Sequence, residues 1–264
     1  MAENNLNGSV DKAVLHPFSS VKKVFAVIGG KGGVGKSTVC SLLAVAMSRR
    51  GYRVGILDAD LTGPSVPQAF GLKESATGSS DGIYPVLSKF GLQIMSMNLL
   101  LESPTEPVVW RGPVLAEYVK SFFTRVVWTE LDYLFIDMPP GTGDVPLTVL
   151  SSLPLSGAIC VFTPQELALL IAEKAAKAAE ELGVPVVGAV ENQSYYICPD
   201  CKEKFYPFGQ GATEKFLKNR KESGILTAEI PISSDLASQT DRGLIELYEG
   251  DFLEEFCDGL EKLC

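Results

Sequence analysis

The sequence predicts a single α/β domain built on a doubly wound, mostly parallel β-sheet. Six short runs are apolar along almost their whole length, as strands covered by helices on both faces must be. These runs are residues 24–28, 54–57, 92–97, 133–136, 158–162 and 184–190. Helical patterns separate the runs, and this alternation favours parallel strands joined by right-handed crossovers. A glycine-rich loop joins the first predicted strand to the first predicted helix.

That loop, residues 29–38, reads GGKGGVGKST and fits the phosphate-binding pattern G-x-x-x-x-G-K-[ST]. Gly30, Gly35, Lys36 and Ser37 occupy its fixed positions. Glycines let backbone N–H groups close around phosphate oxygens, and the start of the next helix adds partial positive charge. We therefore predict a nucleotide site in which Lys36 reaches the outer phosphates and the Ser37 hydroxyl binds Mg²⁺.

A second lysine, Lys31, follows the first fixed glycine of the loop. An ordinary phosphate loop does not need it, because Lys36 already neutralises the phosphates. Lys31 is therefore either a solvated surface lysine or a residue whose side chain points away from its own nucleotide.

Three helices are predicted from apolar residues at a spacing of three and four. The first has the apolar face Val39, Leu42, Leu43, Ala46 and Met47. The second has Pro113 in its first turn and the face Leu115, Tyr118, Val119, Phe122, Phe123 and Val126. The third ends at Gly183 and has the face Leu167, Leu170, Ile171, Ala175, Ala178 and Leu182. Each face is expected to pack on the sheet.

Acidic residues follow two of the predicted strands. Asp58 and Asp60 come after the second strand, and Asp137 closes the fourth as in a Walker B element. In a parallel sheet the carboxyl ends of central strands face the ligand crevice. There the carboxylates can hold Mg²⁺ through water and orient the attacking water of phosphoryl transfer. The alternative for Asp58 and Asp60 is that they cap the next helix.

Two of the six cysteines, Cys198 and Cys201, form a C-x-x-C pair in the segment after the sixth strand. Such a pair brings two thiolates onto one metal ion or cluster. Two thiolates do not close a tetrahedral site, and no histidine lies nearby, so a twofold dimer supplying four is the economical arrangement. Zinc and an iron–sulfur cluster both accept four cysteines, and both stay open at this point. A thioredoxin-like redox pair is disfavoured, because the segment does not read as a helix start.

Composition narrows the function further. A net charge of −9 and a pI near 4.8 argue against broad nucleic-acid binding, which depends on clustered Lys and Arg. No apolar run approaches the roughly 20 residues that span a bilayer, and the N-terminus has no secretory core, so we expect a cytoplasmic protein without a membrane role.

Residues 1–20 are expected to be a flexible tail, and residues 21–264 the ATPase domain, with the cysteine loop at 192–209.

Taken together, these motifs resemble the Mrp/ApbC family of iron–sulfur cluster carrier ATPases. The resemblance covers about residues 20 to 247 and rests on motifs that recur in order. They are the loop 29–38, Asp58-Ala59-Asp60 with Gly63-Pro64-Ser65, Trp110-Arg111-Gly112-Pro113, the run 137–144, and Asn192 followed by Cys198-x-x-Cys201. MinD, ParA and the nitrogenase iron protein share this deviant Walker A loop. The resemblance implies a homodimer that binds MgATP, hydrolyses it slowly, receives a [4Fe-4S] cluster from a scaffold protein and passes it to apo-proteins.

The resemblance also implies roles for individual residues. Lys31 would reach the partner's nucleotide, Lys36 would hold the β- and γ-phosphates, and Asp60 would orient the attacking water. Ser37 would bind Mg²⁺, with Asp58 and Asp137 in its water shell, and the cluster would lie between two Cys198/Cys201 pairs. The expected ATP-binding residues are Gly30, Lys31, Gly32, Gly33, Val34, Gly35, Lys36, Ser37, Thr38, the adenine contact Asn192, and Pro231 along the base.

Gln193 departs from this family, which usually has methionine there, and the N-terminal cysteine cluster of some eukaryotic relatives is absent.

Two other functions stay open. One is a MinD-like or ParA-like positioning switch, for which the C-terminal apolar stripe at Phe252, Leu253, Phe256, Cys257 and Leu260 would have to bind lipid instead of the protein's own sheet. The other is a regulatory ATPase whose dimer is bridged by zinc.

Overall fold

The computed structural model describes residues 12–60, 65–101, 112–220 and 224–263. Of the motifs behind the resemblance, Gly63, Pro64, Trp110 and Arg111 lie outside these residues, as do residues 1–11 of the predicted tail. No helix in these ranges is both long enough and apolar enough to cross a bilayer.

An eight-stranded sheet forms the centre of the domain, with strand order β12-β9-β8-β1-β7-β2-β6-β5. Its strands are β1 (Ser20–Ile28), β2 (Val54–Asp58), β5 (Val86–Leu87), β6 (Gln93–Met95), β7 (Glu130–Asp137), β8 (Gly157–Phe162), β9 (Val186–Asn192) and β12 (Leu226–Ile230). Every neighbouring pair is parallel except β5 with β6. Two hairpins stand outside this sheet, β3 (Thr77–Ser79) with β4 (Gly82–Tyr84), and β10 (Tyr196–Ile197) with β11 (Lys204–Phe205). The predicted mostly parallel α/β sheet is confirmed.

Helices cover both faces of the sheet. They are α1 (Lys36–Arg49), α2 (Val66–Ala69), α3 (Gly112–Arg125), α4 (Asp144–Ser152), α5 (Glu166–Glu181), α6 (Ala212–Lys218), α7 (Ser234–Asp241) and α8 (Glu254–Lys262). Side chains of β1 alternate between two cores, with Ala26 and Ile28 in one and Phe25 and Val27 in the other. Because both faces of β1 are buried, its residues 24–28 form a continuous apolar run. The other central strands are also buried on both faces, so apolar runs predicted them as well.

Strand β12 is the one parallel strand that the apolar runs did not predict. Thr227 and Glu229 are exposed, whereas Ala228 and Ile230 are buried. This alternation is typical of a strand with one solvated face, as expected at the edge of the sheet. Continuous apolar runs in the sequence therefore do not predict β12.

The buried face of α5 also differs from the prediction. Leu167 and Leu170, which we expected in the core, are 59% and 50% exposed. The side facing the sheet consists mainly of small residues, namely Ala168, Leu169, Ala172, Ala175, Ala176 and Ala179. Small side chains let the helix approach closely, and a Cβ added at Gly30 would lie 2.3 Å from the carbonyl carbon of Ile171. Because Leu167 and Leu170 are more hydrophobic than the alanines, the sequence pattern predicted the wrong face of α5 as the buried one.

The two ends of the described chain are packed on the domain. Ala13, within the segment that we expected to be a flexible tail, is buried and donates its N–H to the Ser152 carbonyl at 2.7 Å. In α8, the stripe Phe256, Cys257 and Leu260 is buried against the protein. Its docking on the protein's own fold removes the apolar surface that a lipid-binding helix needs.

Candidate nucleotide site and cysteine hairpin

The predicted nucleotide residues converge at the carboxyl ends of the central strands. The loop 29–38 follows β1, and β1 pairs with β7 so that Val27 lies opposite Asp137. On the other side of β7, Asp58 lies directly opposite Asp137. Since the strands are parallel, the loop and both carboxylates meet at one edge, as the sequence predicted.

Left-handed glycines shape the phosphate loop. Gly33 and Gly35 have φ values of +82° and +85°, a region that side chains with a Cβ adopt only at a cost. Gly35 is the residue before α1, so the first backbone N–H groups of the helix face the loop. Lys36 is buried, whereas Lys31 is exposed. The two lysines therefore have different environments, which fits separate tasks.

Asn192 links the far side of the site to the loop. Its side-chain amide donates to the Val34 carbonyl at 2.9 Å. The contact is tight, because a Cβ added at Gly35 would lie 2.1 Å from that amide nitrogen. Asn192 pairs in register with Ile230, which places Pro231 beside it. The structure thus brings Asn192 and Pro231 together next to the loop.

The two strand-end carboxylates are fully buried and differ in their partners. Asp58 accepts hydrogen bonds from the Ser96 hydroxyl at 3.0 Å and from the Asp60 N–H at 3.2 Å. Burial, and then the neighbouring charge of Asp137, raise the pKa of Asp58 well above its ordinary value. Sequence reasoning missed Ser96, because no spacing in the chain relates it to Asp58.

Neither carboxylate oxygen of Asp137 has a hydrogen-bond partner of acceptable geometry among the described residues. Burial raises the pKa of Asp137 to about 7, although the nearby Ser37 hydroxyl and the Lys36 charge oppose the rise. A buried carboxylate without a partner, next to a hydroxyl and a lysine, has the donor chemistry that Mg²⁺ prefers. Ser37 and Asp137 therefore fit a magnesium ion, with Asp58 behind them and the half-buried Asp60 at the rim.

The segment after Asp137 is tied to the phosphate loop. Met138 donates its N–H to the Val27 carbonyl at 3.1 Å, and Gly141 donates to Gly29 at 3.1 Å. Gly141 has a φ of +88°, which lets the chain turn beside the loop. The position of this segment therefore depends on that of the loop.

The cysteine pair lies in the turn of the β10–β11 hairpin. Cys198 donates its N–H to Glu203 at 3.0 Å, and Lys202 donates back to the Cys198 carbonyl at 3.0 Å. Backbone N–H groups of Cys201 and Asp200 point at the Cys198 sulfur, and they lower its thiol pKa. Cys198 is half-buried and Cys201 exposed, and neither forms a disulfide. The turn thus favours the thiolate form of Cys198 and leaves Cys201 exposed beside it.

Within the described part of the chain, no cluster of three or more His, Cys, Asp or Glu side chains could hold a metal ion. The cysteine pair therefore reaches a four-ligand site only with donors from outside these residues. Sequence reasoning also missed Glu191, a buried carboxylate that binds both ends of the cysteine segment. Its partner Thr213 lies 22 positions away in the chain, so no motif pointed to it.

The parallel sheet, the glycine loop with its second lysine and the strand-end carboxylates define a P-loop NTPase. The chain belongs to the ParA family, and the matching family model, described as NUBPL iron-transfer P-loop NTPase, covers residues 20–256. The family resemblance found in the sequence is confirmed.

Among characterised relatives, the iron–sulfur cluster carrier protein of Aquifex aeolicus is 47% identical over 225 residues. That match covers 84% of this chain but only 61% of the relative, so the chain spans less than two thirds of that protein's length. The protein of the same name from Methanocaldococcus jannaschii is 40% identical over 237 residues, covering 89% of this chain and 81% of the relative.

Solved structures agree with the fold. A nucleotide-binding protein from Archaeoglobus fulgidus, in complex with ADP and with cobalt, is 45% identical and superimposes with a TM-score of 0.79. The superposition covers 89% of this chain and 91% of that protein. The cell division ATPase MinD of Pyrococcus furiosus has a TM-score of 0.66 at 21% identity, covering 92% and 99% of the two chains, which shows a shared fold alone.

Proposed function

We propose that this protein is an ATP-dependent carrier that holds a [4Fe-4S] cluster as cargo and passes it to apo-proteins. The observation that carries the proposal is the cysteine hairpin, whose turn brings the half-buried Cys198 and the exposed Cys201 together beside backbone N–H groups that favour the Cys198 thiolate. The same type of N–H···S contact tunes iron–sulfur clusters held by cysteines. The names of the relatives point to the same cargo.

The cargo site is proposed to lie between two copies of the chain. Each copy offers Cys198 and Cys201, and a [4Fe-4S] cluster takes four cysteines. Four apolar side chains in or near the hairpin are 42% to 53% exposed, namely Tyr196, Ile197, Phe205 and Phe208. Exposed apolar side chains grouped in one segment favour an interaction surface, and a twofold axis through the cysteines would cover them with a second copy of the chain.

The nucleotide site is proposed to bind and slowly hydrolyse MgATP. Lys36 would hold the β- and γ-phosphates, Ser37 and Asp137 would hold Mg²⁺, and Asp60 would orient the attacking water. Magnesium bound there would neutralise phosphate charge as it develops. Lys31 is exposed whereas Lys36 is buried, so Lys31 is proposed to extend to the nucleotide of the partner subunit. Asn192 and Pro231 are proposed to contact the base.

Cluster donors and recipients are proposed to be a scaffold protein and apo iron–sulfur proteins of the cytoplasm. The net charge of −9 disfavours nucleic acid as a partner.

The direct test is the iron, sulfide and zinc content of anaerobically reconstituted full-length protein, together with its mass in solution. A shared [4Fe-4S] centre predicts about two irons and two sulfides per chain in a dimer. The double variant Cys198→Ser, Cys201→Ser should lose the iron and keep ATP binding. About half a zinc per chain without sulfide would instead indicate a zinc-bridged regulatory ATPase.

A further inference from the structure

One buried carboxylate binds both ends of the segment that carries the cysteines. Glu191, in β9, is 1% exposed. One of its oxygens accepts a hydrogen bond from the Ser194 hydroxyl at 2.7 Å. The other accepts two from Thr213, one from its N–H at 2.9 Å and one from its hydroxyl at 2.8 Å. All three donors therefore converge on a single side chain.

These partners mark where the cysteine segment leaves the sheet and where it returns. Ser194 follows the end of β9 and precedes the β10–β11 hairpin, and Thr213 lies in the first turn of α6 after the hairpin. The intervening residues 195–212 hold both cysteines. Glu191 lies near the carboxyl end of β9, where it is paired with β12 on one side and β8 on the other, so it holds both ends of the cysteine segment to a strand with two neighbours.

The base of the hairpin continues this connection toward the cysteines. Tyr195, next to Ser194, is 7% exposed and accepts the Ile232 N–H at 2.7 Å. The Lys204 ammonium of β11 lies 4.1 Å from the centre of the Tyr195 ring, a cation–π contact. These two contacts join the base of the hairpin to the strand that leads away from Cys201.

The residue after Glu191 holds the nucleotide loop. Asn192 donates to the Val34 carbonyl at 2.9 Å and sits tightly against Gly35. Two consecutive residues of one strand thus hold the phosphate loop and the ends of the cysteine segment. A change in the loop on phosphate binding would therefore act on Asn192, and Glu191 is the preceding residue in the same extended backbone.

We infer that Glu191 is a positioning residue that couples nucleotide binding to the metal affinity of the cysteine hairpin. The inference rests on the proposed function, since it requires Cys198 and Cys201 to bind a metal. A purely structural role for Glu191 would affect stability alone and leave the coupling between the two sites intact.

The test measures metal binding with and without nucleotide on the full-length protein. Co²⁺ is the probe, because its thiolate absorption bands report binding to cysteine, and a non-hydrolysable ATP analogue with Mg²⁺ is the nucleotide. In the wild type we expect the analogue to change the apparent Kd for Co²⁺ by about fivefold or more, the usual range for coupled sites. Linkage requires Co²⁺ to change the analogue's affinity by the same factor.

Glu191→Leu should reduce that factor to about one while both ligands still bind. Its apolar side chain accepts no hydrogen bond, so Ser194 and Thr213 both lose their shared partner. A matched pair at position 213 guards against loss of folding. Thr213→Val removes only the hydroxyl bond and should weaken the coupling, whereas Thr213→Ser keeps the hydroxyl and should retain it.

The outcomes separate the two proposals. A wild type that takes up neither Co²⁺ nor iron at the cysteines overturns the proposed function and this inference with it. A wild type that binds Co²⁺ regardless of nucleotide overturns the inference alone. The inference is also wrong if Glu191→Leu and Thr213→Val fold and keep the wild-type coupling factor.

Discussion

Replacing Asp137 by asparagine is expected to stabilise the nucleotide-free protein at neutral and alkaline pH, although it removes a proposed magnesium ligand. The carboxylate is fully buried and lacks a hydrogen-bond partner of acceptable geometry among the described residues, so burial raises its pKa from 3.8 to about 7. Between these pH values the unfolded chain carries an ionised carboxylate and the folded protein a protonated one. Folding therefore takes up a proton, and stability falls as the pH rises through this window.

The size of this effect follows from the pKa change. One pKa unit corresponds to about 1.36 kcal/mol, so the rise from 3.8 to about 7 costs roughly 4 kcal/mol once the pH exceeds 7. Asparagine has nearly the same shape and no charge to bury, but its amide lacks partners there, at a cost of about 1 to 3 kcal/mol. We therefore expect Asp137→Asn to gain about 1 to 3 kcal/mol at pH 8. At pH 5, where the wild-type carboxyl is protonated, we expect no gain.

Urea unfolding of metal-free and nucleotide-free protein at pH 5 and pH 8 measures both values. Saturating MgATP should reverse the order at pH 8, because the wild type gains binding free energy that the variant lacks. The reasoning is refuted if the variant is less stable than the wild type at pH 8. It is equally refuted if the stability difference is the same at both pH values.

Three further predictions concern other parts of the fold. Lys36→Ala should abolish nucleotide binding, measured by calorimetry, without changing the far-UV circular dichroism; unchanged ATP turnover would remove the phosphate-loop assignment. Asp132 has its pKa lowered to about 2, first by Lys22 and then by Arg53, so Asp132→Asn should flatten the loss of stability between pH 4 and pH 2. The ion pairs of Asp132 are at the surface, so the difference in unfolding free energy should be below about 1 kcal/mol. If acid titration shows the same loss of stability in the variant and the wild type, the pKa of Asp132 is not lowered by these pairs. Phe216→Ala should cost about 3 to 5 kcal/mol in urea unfolding, because its ring is fully buried and stacks on Phe162 at 5.0 Å. A cost under 1 kcal/mol would mean that the α6 contact is not part of the core.

The sequence by itself determined the features that are local along the chain. Each of these features is contained in a short stretch of sequence. They are the phosphate loop, Asp58 at the end of one strand, Asp137 at the end of another, and the Cys198/Cys201 pair. Their chemistry can be read from residue types at fixed spacing. The central strands could be predicted for a related reason, because burial on both faces makes every position apolar.

Only the tertiary structure decided what depends on residues far apart. The core face of α5 is set by how closely Gly30 approaches Ile171, which favours alanines over the more hydrophobic Leu167 and Leu170. Burial, which no spacing reveals, raises the pKa of Asp137 to about 7. Glu191 acquires its role from Thr213, which lies 22 positions away and reaches it only after the cysteine segment has left the sheet and returned. Local patterns therefore specify the chemical groups, whereas packing sets their charge, their partners and the connection between the two sites.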